Sequence, residues 1–183
     1  MITFAIILLC ILTFLFQDLW FLKNFALVSG ALSTEPWRAL TSMFLHADAS
    51  HLLFNMLALS MFGTYLEGKV GSKWFVLIYL VSGITGAIGF ELLNPPGEYA
   101  VGASGAIYGV IGALAILAPR LTVYVYFVPL PIWAASILYA FIELVGLGRL
   151  DNIAHSAHLL GLVGGFITAK LYSYYTVGDR EWL

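Results

Sequence analysis

Charge is scarce in this chain. Eight Lys and Arg and ten Asp and Glu make up only 10% of its 183 residues, where soluble domains carry about 25%. Hydrophobic residues reach 61%, against about 45–50% in average soluble domains, so a water-soluble fold could not cover its own surface. Cysteine is nearly absent as well. Cys10 stands alone, which excludes a disulfide framework or a paired-thiol site and leaves a thiol in the core or facing lipid. The formal charge of −2 comes with no basic cluster, so the phosphate contacts required for nucleic-acid binding are missing. No internal repeat, low-complexity tract or linker breaks the chain, and residues 1–183 read as a single minimal membrane domain.

What is present is a series of apolar runs of about 20 residues, the length that crosses a bilayer. They fall at about 3–22, 50–65, 74–93, 104–118, 131–146 and 153–174. The first lacks the basic front and the small-residue cleavage site of a signal peptide, so it reads as a retained anchor. Six spans put both termini on one side. Lys69, Lys73, Arg120, Lys170 and Arg180 then share the terminal side, against Lys23, Arg38 and Arg149 on the other, which favours cytoplasmic termini in the cell membrane. The connection over 23–49 is too apolar for a free loop, and Trp37 to Leu45 has the spacing of a helical element lying in the interface. The stretch 121–130 is ambiguous, and its Val/Tyr/Phe composition with Pro129 and Pro131 favours an extended loop over helix.

Apolar helices in lipid associate through small residues that let backbones approach. Span four carries Gly105-x-x-x-Gly109 with Gly112 beyond, and span six carries Ala157-x-x-x-Gly161-x-x-x-Gly165-x-x-x-Ala169. Ser104 heads the first face and His158 lies beside the second, so the two side chains meet if the faces meet. Asn94-Pro95-Pro96-Gly97-Glu98 cannot be regular helix. Irregular backbone at that depth is tolerated only inside protein or beside water, which places a wet, outward-opening cavity above Ser104.

Intramembrane polar groups are functional-site candidates, and Ser with His is the minimal pair that makes a hydroxyl nucleophilic. Each residue alone also fits a plainer role: Ser104 as a small interface residue, His158 as a core histidine bonded to a carbonyl. Gly102 and Gly105 flank Ser104 at a loop-to-helix junction, where close approach of a substrate and free N–H groups favour an oxyanion. His51 and Asn55 share a face at i, i+4 and offer two further donors, or alternatively an interhelical hydrogen-bond pair. Asp151, two turns before His158, is the nearest acid in sequence, so a Ser–His dyad is expected rather than a triad with a buried acid. Glu91 and Glu143 read as solvated groups at span ends, and Arg38 and Glu67 as structural partners for free backbone groups. His46 is expected to support the loop before span two, and His155 to hydrogen-bond where span six begins. His155 and His158 lack the carboxylate and the HExxH pattern of a zinc site. Asp18, Asp48, Asp151 and Asp179 all lie at span ends, which argues against an aspartyl intramembrane protease.

Taken in order, Trp37-Arg38, His51-x-x-x-Asn55, Gly63-x-x-x-Glu67-x-x-x-Gly71, Gly102-x-Ser104-Gly105 with Tyr108, and Ala157-His158-x-x-Gly161 resemble the rhomboid intramembrane serine proteases over essentially the whole chain. The resemblance implies an all-α six-helix bundle with an interfacial helical loop between spans one and two. It implies Ser104 as nucleophile, His158 as base, and His51, Asn55 and the Ser104 amide around the oxyanion. Tyr108 would stack on His158. The loop 68–73 would face the cytoplasm, and span five would be the mobile gate. It implies no metal or cofactor, and as partners the lipid bilayer and transmembrane protein substrates, cut beside small residues. Two competitors remain: a non-catalytic relative that binds membrane proteins for quality control, and a small transporter using the same cavity.

Overall fold

The computed structural model describes residues 1–149 and 153–178. Asp151, Asp179 and Arg180 lie outside the described residues. The chain is mostly helical. Helix α1 spans Ile2–Phe16 and α2 Leu19–Phe25. The first apolar run therefore ends six residues before Leu22. Gln17 turns extended, and the Asp18 carboxylate accepts the Phe21 N–H at 2.9 Å to cap a new helix.

The first two N–H groups of α1 have no intrahelical acceptor. Glu67, from a distant helix, takes both: Ile2 N–H donates to it at 2.7 Å and Thr3 N–H at 2.9 Å, with the Thr3 hydroxyl at 2.6 Å and the Ser72 hydroxyl at 2.5 Å. Glu67→Ala is expected to destabilise the fold by about 2–3 kcal/mol, because hydrogen bonds to a charged group are lost and buried donors are orphaned. Thermal unfolding in detergent measures this, and an unchanged midpoint would refute the capping role.

After α2 the chain forms a short strand β1 (Leu27–Val28), then α3 (Arg38–Thr41) and a 3-10 turn Ser42–Phe44. The expected interfacial helix is thus brief. It is fastened by Arg38, whose guanidinium donates to Ala26 O at 2.7 Å, Lys23 O at 3.0 Å and the Glu35 carboxylate at 2.6 Å.

Helix α4 (Ala49–Ala58) runs through a π-helical turn, Leu59–Gly63, into α5 (Thr64–Leu93). The expected loop over 68–73 is instead a kink. Gly71 alone leaves helical geometry, at φ 79° and ψ 161°, a conformation that L side chains rarely adopt. Strand β2 (Tyr99–Ala100) pairs antiparallel with β1, Leu27 opposite Ala100. Helix α6 (Ser104–Leu117) leads into a hairpin of β3 (Thr122–Val125) and β4 (Val128–Pro131), then α7 (Ile132–Gly146) and α8 (His155–Gly178). The hairpin turns at Tyr126 and Phe127, both at positive φ.

Among the described residues one helical run, Ala49–Leu93, is long and apolar enough by itself to cross a bilayer; Ile2–Phe16, Ser104–Leu117 and Ile132–Gly146 are shorter apolar helices. Large apolar side chains stand exposed on α1 (Phe4, Leu8, Leu15), α7 (Ile137, Phe141, Leu144) and α8 (Ile167, Leu171). Such a surface suits lipid and would be a liability in water.

The polypeptide is tightest where α6 meets α8. A Cβ on Gly165 would lie 1.8 Å from Gly109 O, one on Gly161 2.1 Å from Gly105 O, and one on Gly112 2.3 Å from Leu162 O. Backbone therefore rests on backbone along this seam, with α5 joining through Gly86, whose Cβ would be 2.8 Å from Ala157 O.

Candidate active site

The seam fixes the relation between the upper ends of α6 and α8. Ser104 begins α6, and the chain before it is held in place: Gly102 N–H donates to Ser42 O at 2.9 Å. Gly102 sits at φ 124°. A Cβ there would lie 2.8 Å from both Cε1 and Nε2 of His51 and 3.8 Å from Ser104 Oγ, so a glycine is required for the His51 ring edge to pack against the chain beside Ser104.

His158, 54 residues further on, places Nε2 at 2.7 Å from Ser104 Oγ. Its ring lies flat against Tyr108, centroids 4.4 Å apart and planes 7° apart. Its other nitrogen, Nδ1, is 3.1 Å from a Glu143 carboxylate oxygen. Glu143 is 3% exposed, not a solvated group at a span end. It accepts the Tyr108 hydroxyl and lies 2.5 Å from His155 Nδ1. A carboxylate survives such burial only when hydrogen-bonding groups surround it, and here the Tyr108 hydroxyl and two imidazole nitrogens converge. Its position in an apolar run gave no sign of this. The signal that would have found it is the pairing of Glu143-x-x-Gly146 on α7 with His155-x-x-His158 on α8. A Cβ at Gly146 would lie 2.3 Å from His155 Nδ1, so the glycine admits that ring.

One expected donor is partly committed to its own helix. Asn55 is buried and its amide donates to His51 O at 2.9 Å, one turn back on its own helix, while its carbonyl oxygen has no hydrogen-bond partner. Asn55 therefore holds the backbone under His51 and leaves one amide hydrogen uncommitted.

Asp48 caps α4 by accepting the His51 N–H at 2.8 Å and the Ser50 hydroxyl at 2.5 Å, and these contacts, the hydroxyl first, hold its carboxyl below the usual range. His46 is fully buried, edge-on to His51 at 5.2 Å between centroids. Burial pushes its imidazole down to about 4, so it stays neutral and puts no charge beside His51. Gln17 brackets its backbone, donating to His46 O at 2.5 Å and accepting the His46 N–H at 3.3 Å.

Beside Ser104 lies a pocket of about 30 Å³, walled by small residues that include Gly83, Gly86, Ala87, Ala106, Ala154 and Ala157, with Ser42 and Met43 at one side. Among the described residues no group of three or more His, Cys, Asp and Glu could hold a metal ion.

A serine hydroxyl on an imidazole, at a helix start beside a small apolar pocket, is the kind of site a serine hydrolase uses. The Rhomboid domain family model matches residues 33–175. The chain is 43% identical over 136 residues to the rhomboid protease GluP of Bacillus subtilis, an alignment covering 74% of this chain and 26% of that protein. It is 35% identical over 156 residues to the putative rhomboid protease YdcA of the same species, covering 78% and 70%. It is 37% identical over 141 residues to RHOMBOID-like protein 1 of Arabidopsis thaliana, covering 75% and 35%. This chain belongs to the rhomboid family and is an integral membrane protein. It spans about a quarter of the length of GluP and about a third of that of the Arabidopsis relative.

Proposed function

We propose that this chain is a serine endopeptidase that cuts transmembrane segments of other proteins within the bilayer. One observation carries the reading: the 2.7 Å contact between His158 Nε2 and Ser104 Oγ, made by residues 54 apart in sequence. Ser104 Oγ attacks the scissile carbonyl carbon as its proton passes to His158 Nε2. The carbonyl oxygen becomes an oxyanion, held by the Ser104 N–H at the start of α6 and by His51, with the free Asn55 amide hydrogen in support. The C–N bond then breaks, and His158 returns the proton to the leaving amine. Water, activated by the same imidazole, hydrolyses the acyl-serine and restores the hydroxyl. Tyr108 keeps the ring of His158 in plane throughout. No cofactor is required.

The pocket beside Ser104, about 30 Å³, has room for about two waters or a small side chain. It supports a preference for small residues at the cut. The membrane topology that accompanies this reading has six spans, both termini in the cytoplasm, and the cavity open to the outer face of the cell membrane. The non-catalytic alternative would have no use for a serine hydroxyl aligned on an imidazole.

The test is covalent. A fluorophosphonate added to the chain in lipid vesicles is expected to label it with one equivalent, and the modified residue found by peptide mass spectrometry is expected to be Ser104. An unlabelled chain that also fails to cut a reconstituted transmembrane substrate would favour the non-catalytic binding role.

A further inference from the structure

Glu143 has no part in a two-residue mechanism, yet its carboxylate is among the most heavily partnered side-chain groups near Ser104. Its side chain is 4% exposed. One oxygen takes the Tyr108 hydroxyl and faces His158 Nδ1 at 3.1 Å; the other faces His155 Nδ1 at 2.5 Å. The geometry points to Glu143 as a third member of the relay: a positioning residue that holds the proton of neutral His158 on Nδ1 and stabilises the imidazolium formed when Ser104 attacks. The inference rests on the protease reading above.

The chemistry follows from donor and acceptor counting. A carboxylate can only accept. Facing Nδ1, it selects the tautomer with hydrogen there, which leaves the Nε2 lone pair directed at the Ser104 hydroxyl. The opposite tautomer would aim an N–H at the serine and could not remove its proton. When Nε2 gains the proton, the positive ring lies between the Tyr108 face and a fixed negative charge, in surroundings where charge pairs interact strongly. Among the described residues His158 meets Glu143 from α7, and Tyr108 and Ser104 from α6, while His155, on its own helix, shares the Glu143 carboxylate. Glu143 brings the negative charge to this cluster. Tyr108 and His155 hold it from two sides, so the carboxylate needs no rearrangement as the reaction proceeds.

Two substitutions separate charge from shape. Glu143→Gln keeps length and hydrogen-bonding reach but removes the charge. Glu143→Asp keeps the charge and loses one methylene. A relay role predicts that Glu143→Gln lowers kcat by about 10²- to 10⁴-fold, the contribution typical of general acid–base catalysis, with KM nearly unchanged. It predicts an equal slowing of fluorophosphonate labelling, and that Glu143→Asp retains more activity than Glu143→Gln. A purely structural strut predicts the reverse order, and that order would overturn the inference. So would a wild-type kcat in Glu143→Gln. If neither variant folds, solid-state NMR of nitrogen-15 histidine in the unaltered protein reads the same point: His158 protonated at Nδ1 supports the role, and protonation at Nε2 overturns it. A wild-type chain that neither labels nor cleaves would remove the protease reading itself, which is a distinct outcome.

Discussion

Ser104→Ala and His158→Ala are each expected to lower cleavage of a reconstituted transmembrane substrate by about 10⁴-fold or more, with the protein still folded. Residues that act as one unit fail together, so the double variant is expected to be no worse than either single one. Folding survives because neither side chain is structural in the sense that Glu67 is. Ser104 Oγ makes its contact with His158, and removing the imidazole leaves Glu143 with Tyr108 and His155. Whatever hydrolysis remains in either variant measures what the oxyanion donors achieve without a nucleophile. Single-turnover assays in vesicles, with thermal unfolding alongside, provide the comparison. Substantial cleavage in Ser104→Ala would require another nucleophile and would end the proposed mechanism.

The second large effect is mechanical. Gly165→Ala is expected to destabilise the chain by more than about 3 kcal/mol and to abolish cleavage, although Gly165 lies nearly two turns along α8 from His158. The added Cβ would meet Gly109 O at 1.8 Å, Gly109 C at 2.4 Å and Gly109 Cα at 2.6 Å. These are backbone atoms of another helix and cannot turn aside, so α6 and α8 must separate. Overpacking that forces backbone shifts costs about 1–3 kcal/mol and occasionally more. Gly83→Ala is the control. Its Cβ would meet Met43 Cε at 2.2 Å and Sδ at 2.5 Å, the far end of a flexible side chain that can swing away. Thermal midpoints of the two variants should differ clearly, and equal midpoints would mean that the seam does not govern stability.

Much of this arrangement was legible in the sequence because glycine spacing encodes helix contact. Gly105, Gly109, Gly161 and Gly165 announce the α6–α8 seam, and the seam brings Ser104 to His158. Boundaries were less legible. Apolar character continues past Phe16 to Leu22, so composition could not show that Gln17 and Asp18 stop one helix and start another. At Gly71 a single residue does the work expected of a loop. Asn55 shares a face with His51, as its spacing predicts, but hydrogen bonding to the preceding turn was not visible in that spacing. Glu143 was the largest misreading: it is buried, not solvated at a span end. An acid in an apolar run is ordinarily solvated at the rim, and only the fold shows that His155, His158 and Tyr108 gather around it from two other helices.

Ser104 and His158 ride on helices fused glycine to glycine, whereas Glu143 rides on α7, whose outer face carries exposed Ile137, Phe141 and Leu144. A sideways displacement of α7 by a few ångströms would part the 3.1 Å contact at His158 Nδ1 and leave the Ser104 pairing intact. If Glu143 acts as proposed, the basicity of His158 depends on where α7 stands, while its pairing with Ser104 does not.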